Sequence, residues 1–154
     1  MAKRADFDAI TRLRYEYAFG IDTRDFGLLR SVFTDEIDMD FSSYSGRPGA
    51  KVLADDWVAG CSALFNGLDA TQHSMTNPLV DVAEGARHAT QRMAMQAAHF
   101  LDGREFAIGG WYQDSLVRVD GAWRICSVTL SVTWRRGDES IMAAAIERST
   151  QQGS

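Results

Sequence analysis

Cysteine is scarce in this chain: Cys61 and Cys126 are the only two. They fall in an expected helix and an expected strand, without C-x-x-C or metal-ligand spacing. That excludes a disulfide framework or a redox pair and leaves both as small buried apolar residues. Positive charge is also short, with 16 Lys and Arg against 21 Asp and Glu, a formal net charge of −5, and no basic run longer than Arg135-Arg136. A nucleic-acid or anionic-membrane surface is therefore not expected, and a small neutral or weakly polar molecule is the expected partner. No apolar run approaches the ~20 residues that cross a bilayer, and no apolar core follows the N-terminal Met-Ala-Lys-Arg-Ala-Asp. A cytoplasmic location is expected. Repeats, linkers, low-complexity tracts, nucleotide motifs and metal-site motifs are all missing, so no cofactor and no metal are expected.

What is present is enough for one globular domain over residues 1–154: 45% of the chain is hydrophobic and 24% charged. From Asp6, apolar residues at Phe7, Ile10, Leu13, Tyr17 and Ile21 recur at three- and four-residue spacing. This predicts an amphipathic first helix with its arginines and glutamate on the other face. Asp22 falls at the C-terminal end, where the helix dipole disfavours a carboxylate, so another interaction must hold it. Asp25 is a good N-cap for a short second helix through Leu28, Leu29 and Val32. Ile37 to Phe41 alternates as a strand, Gly46-Arg47-Pro48-Gly49 is a turn, and Lys51 to Phe65 carries Val52, Leu53, Trp57, Cys61 and Leu64 at helical spacing.

The stretch Thr71-Gln72-His73-Ser74-Met75-Thr76-Asn77-Pro78 reads as a strand with Thr71, His73, Met75 and Asn77 on one face. Continuing into Leu79-Val80-Asp81-Val82, it is interrupted at Pro78, which lacks a ladder donor and marks a bulge or an edge. Arg87 to Phe100 has the local propensity of a helix but is expected as a strand. It leads through Asp102-Gly103 into two long β-rich runs, Glu105 to Val119 and Ala122 to Trp134, joined by the hairpin signal Asp120-Gly121, and those runs need partners. Glu139 to Arg148 is a possible tail helix, with Ser149 onward frayed. The order predicts an α+β cone: a curved mixed or antiparallel sheet packed on three helices from the N-terminal half, open at one end.

His73 is one of three histidines. An imidazole among small polar groups and a methionine serves either as a hydrogen-bonded sheet residue or as a proton-transfer group in a pocket. Phe41, Trp57, Met75, Met95 and Trp134 are candidates for an apolar pocket wall or for ordinary core.

Five segments occur in a recognisable order: Tyr17-Ala18-Phe19-Gly20-Ile21-Asp22, Phe33-Thr34-Asp35-Glu36, Thr71-Gln72-His73 through Asn77, Gly110-Trp111-Tyr112-Gln113-Asp114, and Asp120-Gly121-Ala122-Trp123-Arg124-Ile125. Over residues 6–136, with 137–154 as a tail, the chain resembles the SnoaL-like branch of the NTF2-like superfamily, which includes scytalone dehydratase, bile-acid 7α-dehydratase and hexachlorocyclohexane dehydrochlorinase. The resemblance implies a cone-shaped pocket in which an aspartate at the end of the first helix and a histidine on a strand act as a dyad; Asp22 and His73 stand at those places. Tyr17, five residues before Asp22, matches a tyrosine of the bile-acid enzyme, and His99 corresponds loosely to a second pocket histidine of scytalone dehydratase. Tyr112 and Asp114 match a pattern shared by members of differing activity and are read as supporting the sheet. The chain departs from the dehydrochlorinase and bile-acid enzymes on the last strand, where Val128 or Thr129 falls at the place of their arginine, which argues against halide or charged leaving groups.

The resemblance thus implies a lyase, most specifically a dehydratase of a small cyclic or aromatic hydroxylated substrate. Tyr17, Tyr44 or a bound water would be the donor, and Tyr44, Phe41, Trp57, Met75, His99 and Trp134 would contact substrate. A proton-transfer isomerase or cyclase is the near variant, and a non-catalytic ligand-binding or structural subunit the alternative of another class. A homo-oligomer, dimer or trimer, is expected because one chain's helices leave part of a long-stranded sheet uncovered.

Overall fold

A computed structural model describes residues 2–153, with the side chains of Ala2 and Lys3 left aside. Its elements run α1 (Ala2–Asp22), α2 (Phe26–Ser31), β1 (Phe33–Asp40), α3 (Ser42–Ser45), β2 (Ala50–Leu53), α4 (Ala54–Phe65), β3 (Ala70–Val82), β4 (His88–Leu101), β5 (Arg104–Val119), β6 (Ala122–Gly137) and α5 (Ser140–Gln152). One curled, unclosed sheet has the order β2-β1-β6-β5-β4-β3. All neighbours are antiparallel except β1 and β6, so the sheet is mixed.

The turn chemistry fixes the long strands. Asp102-Gly103 and Asp120-Gly121 are two-residue connections in which all four residues have positive φ (50°, 74°, 50° and 82°). That is the geometry whose twist matches paired strands. The first hairpin joins β4 to β5 while β3 pairs on the other side of β4, and the inward residues of β4, including Met93, Met95, Ala97 and His99, alternate with outward ones. Tertiary pairing therefore overrides the helical propensity of this segment, as expected from its neighbours. At Pro78 the β3–β4 register skips between Thr76 and Leu79, and Asn77 takes φ 55°. β3 is also a sheet edge, so proline sits where both readings place it.

Ile10, Leu13, Tyr17 and Ile21 of α1 are buried, as their spacing predicts. Arg12 and Glu16 pair on the exposed side. Arg14 contradicts the expected polar face: it is wholly buried, because its charge is met by Asp114 from β5. Asp25 caps α2 by accepting from the Leu28 N–H at 2.9 Å. The helix expected from Lys51 begins only at Ala54; residues 50–53 pair with β1 as a short edge strand. Asp55 and Asp56 then occupy the first turn of α4, where the dipole favours anions. The tail helix α5 continues past Ser149 to Gln152, with Ile141 and Ala145 buried. Among the described residues no helix is long and apolar enough to cross a membrane.

Candidate active site

Between the concave face of the sheet and α1, α4 and α5 lies a cavity of about 400 Å³. Its wall is overwhelmingly apolar and aromatic: Trp57, Cys61 and Leu64 from α4 face Met95, Ile108 and Leu130 from the strands. Burial pushes the Cys61 thiol up to about 12, leaving it uncharged. Among the described residues the only Asp, Glu, Lys or Arg in the wall is Asp56. No group of three or more described His, Cys, Asp or Glu side chains forms a metal site.

His73 lines this cavity, and Asp22 meets it from behind the wall. The imidazole Nδ1 lies 2.8 Å from Asp22 Oδ1, and Asp22 Oδ2 accepts the His73 backbone N–H at 2.7 Å. Thr71, on the same face of β3 two residues earlier, donates its hydroxyl to Oδ1 at 2.9 Å. The Thr71 oxygen in turn accepts from Arg24 Nη1 at 2.9 Å, which leaves the Thr71 proton for Asp22. These donors explain a carboxylate at a helix C-terminus. Burial raises the pKa of Asp22, but the hydrogen bonds from the His73 ring, the His73 backbone and Thr71 outweigh it, so the net direction is down. Arg24 reaches Thr71 from a left-handed backbone, φ 60°, while also donating to the Ile21 carbonyl at 2.7 Å. An ionised Asp22 accepts Nδ1–H, and the Nε2 of His73 has no protein partner among the described residues.

His99 is buried, 3% exposed, with its ring stacked between Phe65 and Phe106 and its edge-on neighbour His73 at 5.7 Å between centroids. Its Nδ1–H donates to the Phe106 carbonyl at 3.0 Å. Burial, reinforced by His73, pushes its pKa down to about 4, so it is a neutral imidazole whose other nitrogen can only accept. His99 thus belongs to the cavity wall and not to the surface.

Tyr17 is also in the wall, edge-on to His73 and stacked on Trp57. Its hydroxyl lies 3.2 Å from the Tyr112 hydroxyl. Tyr44 and Phe41 line the cavity as well. Two expected contacts are elsewhere. Met75, although on the His73 face of β3, packs in the core where α1 crosses that strand and is not part of the cavity wall. Trp134 lies on the outer face of the sheet, 39% exposed, over Gly109. The reason is a bulge: Val132 pairs with Gly110 and Trp134 with Gly109, so Thr133 is an extra residue and the alternation that points Leu130 and Val132 inward is reversed at Trp134.

Sequence reasoning missed Arg14 and gave Tyr112 only a supporting role. Each element carries half of the pattern, Arg14 one turn from Tyr17 and Asp114 on the Tyr112 face of its strand, but nothing local joins the two halves.

A model of the SnoaL-like domain matches residues 2–129, so the chain belongs to the SnoaL-like family of the NTF2-like superfamily. It is 28% identical over 134 residues to a dehydratase of Pestalotiopsis microspora, covering 78% of this chain and 82% of the relative. A crystal structure of a Kribbella flavida protein superposes with a TM-score of 0.83 at 29% identity, covering 92% of this chain and 99% of that one. A Novosphingobium aromaticivorans protein named as a candidate scytalone dehydratase shares the fold, with a TM-score of 0.77 at 22% identity over 90% of this chain and 91% of that one.

Proposed function

We propose that the protein is a cofactor-independent lyase, a dehydratase of a small, uncharged cyclic or aromatic compound carrying a hydroxyl and a carbonyl. The observation that carries this reading is that His73, in the wall of an apolar cavity of ring-compound size, is held from behind by Asp22. Asp22 holds the imidazole in the tautomer that frees Nε2 as a base and stabilises the imidazolium once it forms. His73 Nε2 takes the proton on the carbon next to the carbonyl, and the C–H electron pair passes into an enolate. The enolate then collapses to a carbon–carbon double bond as the neighbouring C–O bond breaks. The departing hydroxide receives a proton from a phenol of the wall, Tyr44 or Tyr17, and leaves as water, and the proton abstracted by His73 returns to that phenol.

The missing Lys or Arg in the wall supports a substrate without a carboxylate or phosphate, because such a group would be desolvated with no cation in direct contact and only neutral donors to meet it. A relative bearing the name dehydratase over most of both chains supports the same direction. The test is turnover of a panel of hydroxylated cyclic ketones, followed by the absorbance of the conjugated product and by loss of one water in the mass spectrum. Conversion by the wild-type protein and its loss in His73→Gln support the reading; undiminished conversion in His73→Gln removes it.

A further inference from the structure

Behind the Tyr17 and Tyr112 rings of the cavity wall lies a charged pair that the mechanism above does not use. Arg14 and Asp114 are both wholly buried, Arg14 Nε donating to Asp114 Oδ2 at 2.8 Å while Nη2 donates to Oδ1. Gln91 adds a donor to Oδ2 at 3.3 Å. Such a pair is a poor device for stability, since apolar residues of the same volume commonly do as well. Its placement suggests another role. The guanidinium carbon lies 3.7 Å from the centroid of the Tyr112 ring and 4.6 Å from that of Tyr17, the two rings whose hydroxyls meet at 3.2 Å in the cavity wall. Arg14 Nη1 is buried with no hydrogen-bond partner among the described residues, so that side of the cation is met by ring faces.

In a pair of phenols one O–H is donated to the other oxygen, which leaves one O–H uncommitted. Both phenols stay protonated: burial raises Tyr17 well above its usual value and raises Tyr112 also, while Arg14 works in the opposite direction on each. Asp114 opposes Arg14 at Tyr112 but is the weaker influence there. The cation therefore draws electron density from both rings without ionising them, which strengthens the free hydroxyl as a donor to a negatively charged oxygen.

We propose that Arg14 is a positioning residue that polarises the Tyr17–Tyr112 hydroxyl pair into a receptor for a ligand oxyanion of the enolate or phenolate class. This rests on the lyase reading for the identity of the oxyanion, which would be the enolate formed when His73 takes its proton, but its test needs no turnover. Substituted phenols and naphthols of graded acidity are titrated into the protein, the bound phenolate is read by its absorbance, and the corresponding methyl ethers serve as neutral matches. In the wild-type protein the phenolate is expected to bind at least tenfold more tightly than its methyl ether. Arg14→Gln combined with Asp114→Asn keeps a neutral hydrogen-bonding pair behind the rings and orphans no charge. It should lose most of that preference while binding the ethers as before, with circular dichroism confirming the fold.

Should that pair fail to fold, Arg14→Lys keeps Asp114 partnered but withdraws the planar cation from the ring faces, and a several-fold loss of preference is expected. An unchanged ratio in either folded variant overturns the proposal, as does a wild-type protein that binds phenolates no better than their ethers. Loss of the preference with full turnover in His73→Gln would instead sink the lyase reading and leave the oxyanion receptor standing.

Discussion

Asp22 grips His73 at two points, one carboxylate oxygen on the imidazole Nδ1 at 2.8 Å and the other on the backbone N–H of the same residue at 2.7 Å. The ring and its strand are thereby fixed together, and the tautomer follows from the charge of the acceptor. His73→Gln should keep the fold and lower turnover by two or more orders of magnitude, the scale of a lost general base. Asp22→Asn should cost nearly as much, since an amide neither stabilises the imidazolium nor selects the tautomer. Because the two act as a unit, the double variant should fall little below either single one. Steady-state kinetics with circular dichroism on each variant checks this; additive losses would show that the two work separately.

Acid stability should fall in two windows. His99 has a folded pKa near 4 against an ordinary value of 6.5, so the unfolded chain binds the extra proton first and stability drains as pH falls from about 6.5 to 4. At about 1.4 kcal/mol per unit the loss is on the order of 3 kcal/mol. Asp22 is lowered, so its contribution is present above the unfolded carboxylate value and disappears only as pH drops further through its folded pKa. Urea unfolding between pH 7.5 and 3 should show the upper window vanish in His99→Gln and the lower one shrink in Asp22→Asn. A His99→Gln curve parallel to wild type would contradict the burial argument.

The fold was legible where local chemistry and pairing agree. Asp-Gly turns, the Asp25 cap and the interruption at Pro78 each act within a few residues, and Arg87 to Phe100 became readable once its neighbours were strands. Asp22 and His73 were paired through the resemblance to the SnoaL-like branch, since the residues alone left a helix-end carboxylate and a sheet histidine as sufficient readings. Arg14 was not, because its partner is 100 residues away and a helical arginine without one belongs in water. Trp134 was misplaced by a single unpaired residue at Thr133, which no alternation count reveals. Met75 faces the expected side, but alternation says nothing about how far along a strand a cavity extends. β2 was hidden because Val52 and Leu53 continue the apolar spacing of α4.

Thr71 relays Arg24 to Asp22, so Thr71→Val tests the support of the carboxylate without touching the imidazole. The valine fills the same space but removes a donor from Asp22 and an acceptor from Arg24. A stability loss of roughly 1–3 kcal/mol is expected for the unmet buried groups, together with a turnover loss of about tenfold or less and a KM nearly unchanged. Thermal denaturation and kinetics read the two effects, and a Thr71→Val protein as active and stable as wild type would remove Thr71 from the network.

The outer face of the sheet should join copies of the chain. Trp111 and Trp134 are each 39% exposed there, in adjacent rows of the sheet: Trp111 pairs with Ala94 and Ser131, and Trp134 packs over Gly109 beside Gln96. These indoles remain partly in water unless a second sheet meets them, and exposed aromatic clusters of this kind favour association. A dimer or trimer is expected in sedimentation velocity at micromolar concentrations. Trp134→Arg should shift it to monomer by placing a desolvated charge at the contact, and since Trp134 is outside the cavity wall, affinity for cavity ligands should change little. A wild-type protein that stays monomeric at every concentration would refute the association, and an oligomer untouched by Trp134→Arg would move the contact to another surface.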